Sequence, residues 1–312
     1  MCRTATLLMN LFGVVLIGIN LLEGQQMDEG LLKSLIALKS GEIPGFSTKG
    51  RVTFGTEKHL TLAQSLWRTG TGIPGKDPTE IVIRLHFLPN REIAYQVALS
   101  ETVSQRIYPD GAGMPKGSWT GLPIGEKSWA TAPKSGEVSF TSNLVVWDDR
   151  LALRVIVRYP PLDPMARNLV FFPIEQQDLE LGELAARLIL TKANLVLLGW
   201  KELPTVRLVA NGKNLEAKKT KEGNIFVPVQ ATLREMGGKA ERKLGVILAS
   251  WKGKKVTLPI GARVMLVGKE KVALNLPIVW DGEEAWVEGT GMAKGLGLAL
   301  RWEEGKLVLA KR

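Results

Sequence analysis

The chain has little sulfur or imidazole chemistry to offer. Of its 312 residues one is cysteine, Cys2, and two are histidine, His59 and His86. Cys2 sits inside an N-terminal apolar segment and no lipobox precedes it. The rest of the chain therefore has no disulfide, no thiol nucleophile and no thiolate metal site. Zinc needs a Cys/His cluster at short spacing, and there is none. The Gly-x-Ser-x-Gly elbow of serine hydrolases is missing too. Two acidic pairs, Asp148-Asp149 and Glu303-Glu304, are what a glycan hydrolase mechanism would have to use. Both fall in predicted turns, where solvated carboxylates are ordinary. His86 is expected on a strand beside Arg84, as a half-exposed histidine.

Positive charge is plentiful. Lys and Arg number 41 against 31 Asp and Glu, giving +10 at neutral pH and a pI of about 9.6. Hydrophobic residues make up 45% and charged residues 23%, with a mean hydropathy of +0.05. That is globular composition with room for two domains.

The N-terminus, "MCRTATLLMNLFGVVLIGINLLEGQQ", starts with Arg3 and runs apolar from Thr4 to Leu22. This layout predicts a signal peptide or an uncleaved membrane anchor over residues 1–24. Loss of that segment removes Arg3 and Glu23, so the charge stays about +10. The expected location is extracytoplasmic, secreted or in the cell envelope. Nucleic acid is a poor partner there; an anionic cell-wall polymer or lipid head groups fit the charge better.

Two folded regions are expected, 28–200 and 204–312, joined at "GWKELP". In the first, Leu181, Leu184, Ala185, Leu188 and Ile189 make one helical stripe within 178–198. "SNLVVWDDRLALRVIVRY" predicts a hairpin turning at Asp148-Asp149. Ile81, Ile83, Leu85 and Phe87 alternate as one face of a strand over 81–88. "REIAYQVALSETVSQRI" fits a strand or a helix capped by Asn90. Residues 108–137, rich in Gly, Pro and Ser, predict a long surface loop. It carries Trp119 and Trp129, candidates for stacking on a sugar or contacting a partner. The basic run "WKGKK", with Lys252, Lys254 and Lys255, is a candidate contact with an anionic surface.

"RTGTGIPGKDP", residues 68–78, contains both G-x-G-x-x-G and G-x-x-x-x-G-K. Thr61 and Gln64 have capping-box spacing, which predicts a short helix ending at Gly70. Phosphate motifs need strand, loop and then helix, the reverse of this order. Pro74 also removes one amide from the cradle, and Asp77 stands where a P-loop places Ser or Thr. No nucleotide is expected.

The C-terminal region repeats itself. "NIFVPVQATLREMGGKAERKLGVILA" and "EAWVEGTGMAKGLGLALRWEEGKLVLA" each read strand, short helix, glycine, strand, turn, strand. Each follows a strand pair, "VRLVANGKNLEA" and "VMLVGKEKVALN", the first with a type I′ turn signal at Asn211-Gly212. Val206 to Gly212, Phe226-Val227-Pro228, Leu233, Gly237-Gly238, Trp286-Val287, Gly295-Leu296-Gly297 and Trp302 together resemble the copper amine oxidase N-terminal-like domain. Gln230 stands where that family usually has Arg, and Glu288 replaces Pro. The resemblance implies a small α+β module, usually non-catalytic and carried by exported bacterial envelope proteins. Copper chemistry is not expected despite the family name. Such a site needs three histidines, and no tyrosine here has the Asn-Tyr-Asp/Glu setting of the quinone precursor.

The combined expectation is an α+β protein of two domains, each an antiparallel sheet with packed helices. It would be an exported, non-catalytic binding or structural protein of the envelope, with no cofactor and no metal. An extracellular solute-binding or sensor role for residues 28–200 is the alternative, with a cell-wall hydrolase ranked last.

Overall fold

The computed structural model describes residues 29–48, 53–55, 60–70, 78–104, 122–130, 141–159 and 174–311. The leader, His59, Trp119, Gly72 and Gly75 lie outside these. The chain packs as two units, residues 1–121 with 126–186 and residues 122–125 with 187–312. The fold class is α+β, with mostly antiparallel sheets.

Unit one contains α1 (Glu29–Ile36), β1 (Ser47–Thr48), β2 (Thr53–Gly55), β3 (Leu60–Arg68), β4 (Thr79–Phe87), α2 (Arg91–Ser104), β5 (Lys127–Ala130), β6 (Thr141–Asp148), β7 (Leu151–Arg158) and the start of α3 (Gln176–Leu197). Its sheet runs β1-β3-β4-β7-β6-β5, with β2 also on β3. Ile81, Ile83, Leu85 and Phe87 share one face of β4 and are buried, as their alternation predicts. The ladder sets them beside Leu62 and Leu66 of β3 and Leu153, Val155 and Val157 of β7. Full burial of each such side chain contributes roughly 2 kcal/mol.

Three local expectations need correction. Thr61 to Arg68 is strand β3, not a capped helix. Its inward row is Leu62, Gln64 and Leu66, and the glutamine disguises the alternation. Gln64 is tolerated there because its amide donates to Leu38 O (2.6 Å) and accepts from Leu38 N (2.9 Å). The next described element after Gly70 is the strand β4, and residues 71–77 of the glycine segment lie outside the described residues. The hairpin turns at Asp149-Arg150, one residue later than expected, because Asp148 pairs with Leu151 and Asp149 takes φ 49°. The supposed long loop contains β5. Its pairing with β6 buries Trp129 to 1% exposure, so that ring offers no face to a ligand.

The ambiguous segment after residue 90 is helix α2. Asn90 Oδ1 accepts from Ile93 N at 2.9 Å, the predicted cap. Ala94 and Ala98, one helical turn apart, let α2 lie close to Trp129, Val145 and Ala152. In α3 the whole predicted stripe from Leu181 to Ile189 is buried.

Unit two continues α3 and adds β8 (Thr205–Ala210), β9 (Lys213–Lys219), β10 (Ile225–Pro228), α4 (Val229–Glu235), β11 (Lys239–Lys243), β12 (Val246–Trp251) and β13 (Lys254–Pro259). The second copy follows as β14 (Val264–Val267), β15 (Glu270–Ala273), β16 (Val279–Trp280), β17 (Ala285–Glu288), α5 (Gly289–Leu296), β18 (Leu298–Glu303) and β19 (Lys306–Lys311). Every repeated element predicted from sequence is present. The Asn211-Gly212 turn has φ of 49° and 79°, and Gly237 and Gly297 leave the two helices at φ 77° and 73°.

The two copies exchange strands rather than standing side by side. The seven-stranded sheet runs β16-β17-β10-β9-β8-β19-β18, and the five-stranded one β11-β12-β13-β14-β15. The first hairpin of each copy thus lies in a sheet with the last hairpin of the other. At the centre β10 meets β17 antiparallel, with Phe226↔Glu288, Val227↔Val287 and Pro228↔Trp286. Phe226 and Trp286 are equivalent in the two copies, as are Pro228 and Glu288. The pairing is therefore isologous, like that of a two-fold dimer, with its local axis between Val227 and Val287. The symmetry is local: β8 and β19 pair in parallel, β13 and β14 antiparallel.

Gly238 gives a test of this packing. A Cβ there would lie 2.7 Å from the backbone oxygen of Ser250 and 3.2 Å from that of Leu233, neither of which can swing away. At Gly237 a Cβ meets nothing within 4 Å, but φ is +77°. Urea unfolding should show Gly237→Ala costing about 1 kcal/mol and Gly238→Ala roughly 1–3 kcal/mol from overpacking. Equal costs would mean that β12 shifts to relieve the contact.

Candidate functional site

A charged cluster of unit one lies on the sheet face shared with α2. Register puts Arg84 of β4 directly opposite Arg154 of β7. Two like charges facing across a ladder repel. Glu101, arriving on α2, answers both. Its carboxylate lies 2.9 Å from Arg154 Nη1, 3.8 Å from Arg84 Nη1 and 3.8 Å from His86 Nε2. Asn143 Oδ1 accepts a second Arg154 nitrogen at 2.9 Å. His86 Nδ1 lies 2.9 Å from Thr61 Oγ1. His86 is 8% exposed, deeper than the half-exposed strand position expected for it.

The neighbouring His86 is the largest influence holding the Glu101 carboxyl down, to a pKa of about 2; burial opposes it, and Arg154 reinforces it. A carboxylate held ionised this firmly does not serve as a general acid near neutral pH. The cluster instead fastens α2 to the sheet. Sequence reading singled out Arg84 and His86 but missed Glu101 and Arg154. The two are separated by 53 positions, and nothing local announces their contact.

A buried carboxylate, Asp178, lies in the first turn of α3 in the same unit. It accepts from Arg68 Nη2 and from the Tyr159 hydroxyl. Burial first, and then the bond to Asp178, pushes the Tyr159 phenol above its ordinary value. This joins β3, the end of β7 and α3. In unit two the buried Arg187 donates to the carbonyls of Leu122, Pro123 and Ile260. Those bonds attach the short 122–125 segment to that unit.

The three singled-out lysines share one hairpin tip between β12 and β13. Lys252 occupies the turn at φ 46°, with Nζ 4.6 Å over the Trp251 ring. Lys254 Nζ donates to Leu296 O at 3.2 Å, at the negative end of α5. Lys255 is exposed and pairs with Ser250. One of the three is thus committed to capping a helix, and the other two face outward.

The two departures from the family pattern have physical partners. The Gln230 side chain accepts from Ala285 N, while the Glu284 carboxylate receives Gln230 N (2.7 Å) and Ala231 N (3.2 Å) at the start of α4. Burial pushes the Glu284 carboxyl above its ordinary range, with those amide bonds pulling the other way. Glu288, buried in place of proline, receives Asn275 N, Asn275 Nδ2 and the Thr290 hydroxyl. Among the described residues no group of three His, Asp or Glu side chains is arranged to hold a metal ion. Among them too, no helix is long and apolar enough to cross a membrane.

With this geometry in place, comparison with known proteins gives one family. Residues 209–310 match the family model described as copper amine oxidase N-terminal domain, so the resemblance read from the repeat stands. That domain is not the catalytic part of copper amine oxidases. The match covers the C-terminal third and runs from β8 to β19, spanning both copies. No curated protein and no solved structure matches the chain.

The Glu101 cluster has a definite pH signature. Its pKa lies below the ordinary value of 4.5, so its stabilisation is complete above about pH 4.5 and is lost as pH falls toward 2. A shift of that size corresponds to at most roughly 3 kcal/mol. Denaturant titrations between pH 7 and pH 3 should show a steep loss of stability in the native chain. Glu101→Gln should be weaker at pH 7 and flatter with pH; parallel profiles for the two would contradict this account.

Proposed function

We propose that this is an exported protein of the cell envelope and that its C-terminal unit is a non-catalytic binding or structural module. The observation that carries the reading is the family match over residues 209–310, spanning a module whose centre is packed with its own side chains. Leu208, Val227, Leu233, Trp251, Met265, Val287 and Leu309 all belong to that one core. Its interactions with other molecules then fall to its surface. The Arg3-led apolar leader and the +10 charge support export and an anionic partner. Residues 28–200 would serve as the companion domain. The Glu101–Arg154 cluster favours a structural part for its polar sheet face over an acid–base one.

Fractionation of cells producing the full chain tests the export step. The protein is expected in the envelope or the medium, and degraded by protease added to intact, wall-stripped cells. Recovery solely from the cytoplasm, protected from protease, would end the export reading.

A further inference from the structure

The outer face of the five-stranded sheet is half apolar and strongly basic. Register aligns Lys239, Glu241 and Lys243 of β11 with Ser250, Leu248 and Val246 of β12. The same face continues through Lys255 and Thr257 of β13, Leu266 and Val264 of β14, and Lys271 of β15. Leu248 is 38% exposed, and Val246, Val264 and Leu266 are partly exposed. Four lysines and one glutamate border this strip.

The turn between β11 and β12 adds an independent observation. It places Leu244 at φ 52° with 42% of its surface exposed. A bulky residue at positive φ is a strained choice where Asn, Asp or Gly is favoured. The equivalent turn of the second copy, between β18 and β19, has Glu304 at φ 49°. Its neighbours there are Glu303 and Lys306, where the first copy has Lys243 and Val246. The backbone is the same and accepts charge, so the fold does not demand leucine. The turn's backbone is held from within, as Arg242 Nε donates to Leu244 O at 2.9 Å, so what points outward is the exposed apolar side chain itself.

We infer that this face docks on the surface of an anionic lipid bilayer, with Leu244 and Leu248 at the level of the acyl boundary and Lys239, Lys243, Lys255 and Lys271 among the head groups. Exposed leucines rimmed by lysines suit an interface that is apolar within and anionic outside. An acidic polymer would use the lysines but give the leucines no partner. A second copy would set lysine rim against lysine rim. The inference deepens the proposed envelope role by naming the surface that the module meets.

The apolar leader could bind vesicles by itself, so the test reads the face locally in the full chain. With Cys2→Ser, a polarity-sensitive fluorophore on Leu244→Cys is mixed with phosphatidylglycerol-containing or purely phosphatidylcholine vesicles. The same label on Glu304→Cys serves as the internal control. Emission at position 244 is expected to shift to the blue with anionic vesicles only, and position 304 to stay unchanged. Replacing Lys243 or Lys255 by Gln should weaken the response roughly fivefold each. No shift at 244, an equal shift with neutral vesicles, or an equal shift at 304 overturns the inference. So does the same shift produced by a soluble acidic polymer without lipid, or by self-association without vesicles. If these arms fail while the chain is still exported, the lipid surface falls and the envelope role stands. If they succeed while the chain stays in the cytoplasm, the lipid surface stands and the envelope role falls.

Discussion

The antiparallel contact of β10 with β17 is the constraint on which the C-terminal unit depends. Neither copy can bury its apolar face alone, because each lacks the strands that would complete its sheet. The local two-fold between Val227 and Val287 answers this by lending each copy's first hairpin to the other's last. Both helices start directly from these two strands, so placing the strands places α4 and α5 as well. Bonds across the copies then reinforce the join, as Glu284 of one receives the opening amides of the other's helix. The continuous core follows from this exchange.

In unit one the comparable constraint is electrostatic. Once the apolar row Ile81, Ile83, Leu85 is committed to one face, period two sends Arg84 and His86 to the other. The same logic in β7 brings Arg154 opposite Arg84. The face would repel itself without an anion, and α2 carries one to it. The cost of facing like charges is removed by a carboxylate that is kept ionised because those charges are there. Register, helix placement and proton affinity are one problem in this region.

How much of this was legible depended on the range of the interactions. Turn chemistry is local and was read directly. Asn211-Gly212, the helix-ending Gly237 and Gly297, and the Asn90 cap all lie where their residue types place them. The stripe of α3 was equally plain. The repeat showed its elements in order but not their exchange, because nothing in a strand states which neighbour it will pair with. β3 was misread for a related reason. Thr61 and Gln64 satisfied a local rule, while Gln64 was satisfied by Leu38, 26 positions away. Glu101 and Trp129 were hidden similarly, one by a distant ion pair and the other by a short strand inside a Gly/Pro-rich stretch. Of the lysines marked for their charge only Lys255 lies on the outer sheet face, and the exposed Leu244 and Leu248 were unremarkable as sequence.

The divergence between the copies is itself informative. Where the two meet at the axis, substitutions are compensated: Glu288 in place of proline has its Asn275 and Thr290 donors, and Gln230 has its Ala285 amide. On the outer turns the partners differ between the copies: Arg242 Nε donates to Leu244 O at 2.9 Å in the first, and Lys306 pairs with the Glu304 carboxylate at 3.6 Å in the second. Leu244 and Glu304 occupy the same backbone conformation with opposite affinities for water. The interior has constrained the copies to agree or to repair each disagreement, since an unpaired buried group there would cost roughly 1–3 kcal/mol. The turns are under no such obligation, and the same backbone carries an exposed leucine in one copy and a glutamate in the other. The duplicated framework thus holds one shape while leaving its two hairpin tips free to meet different surroundings.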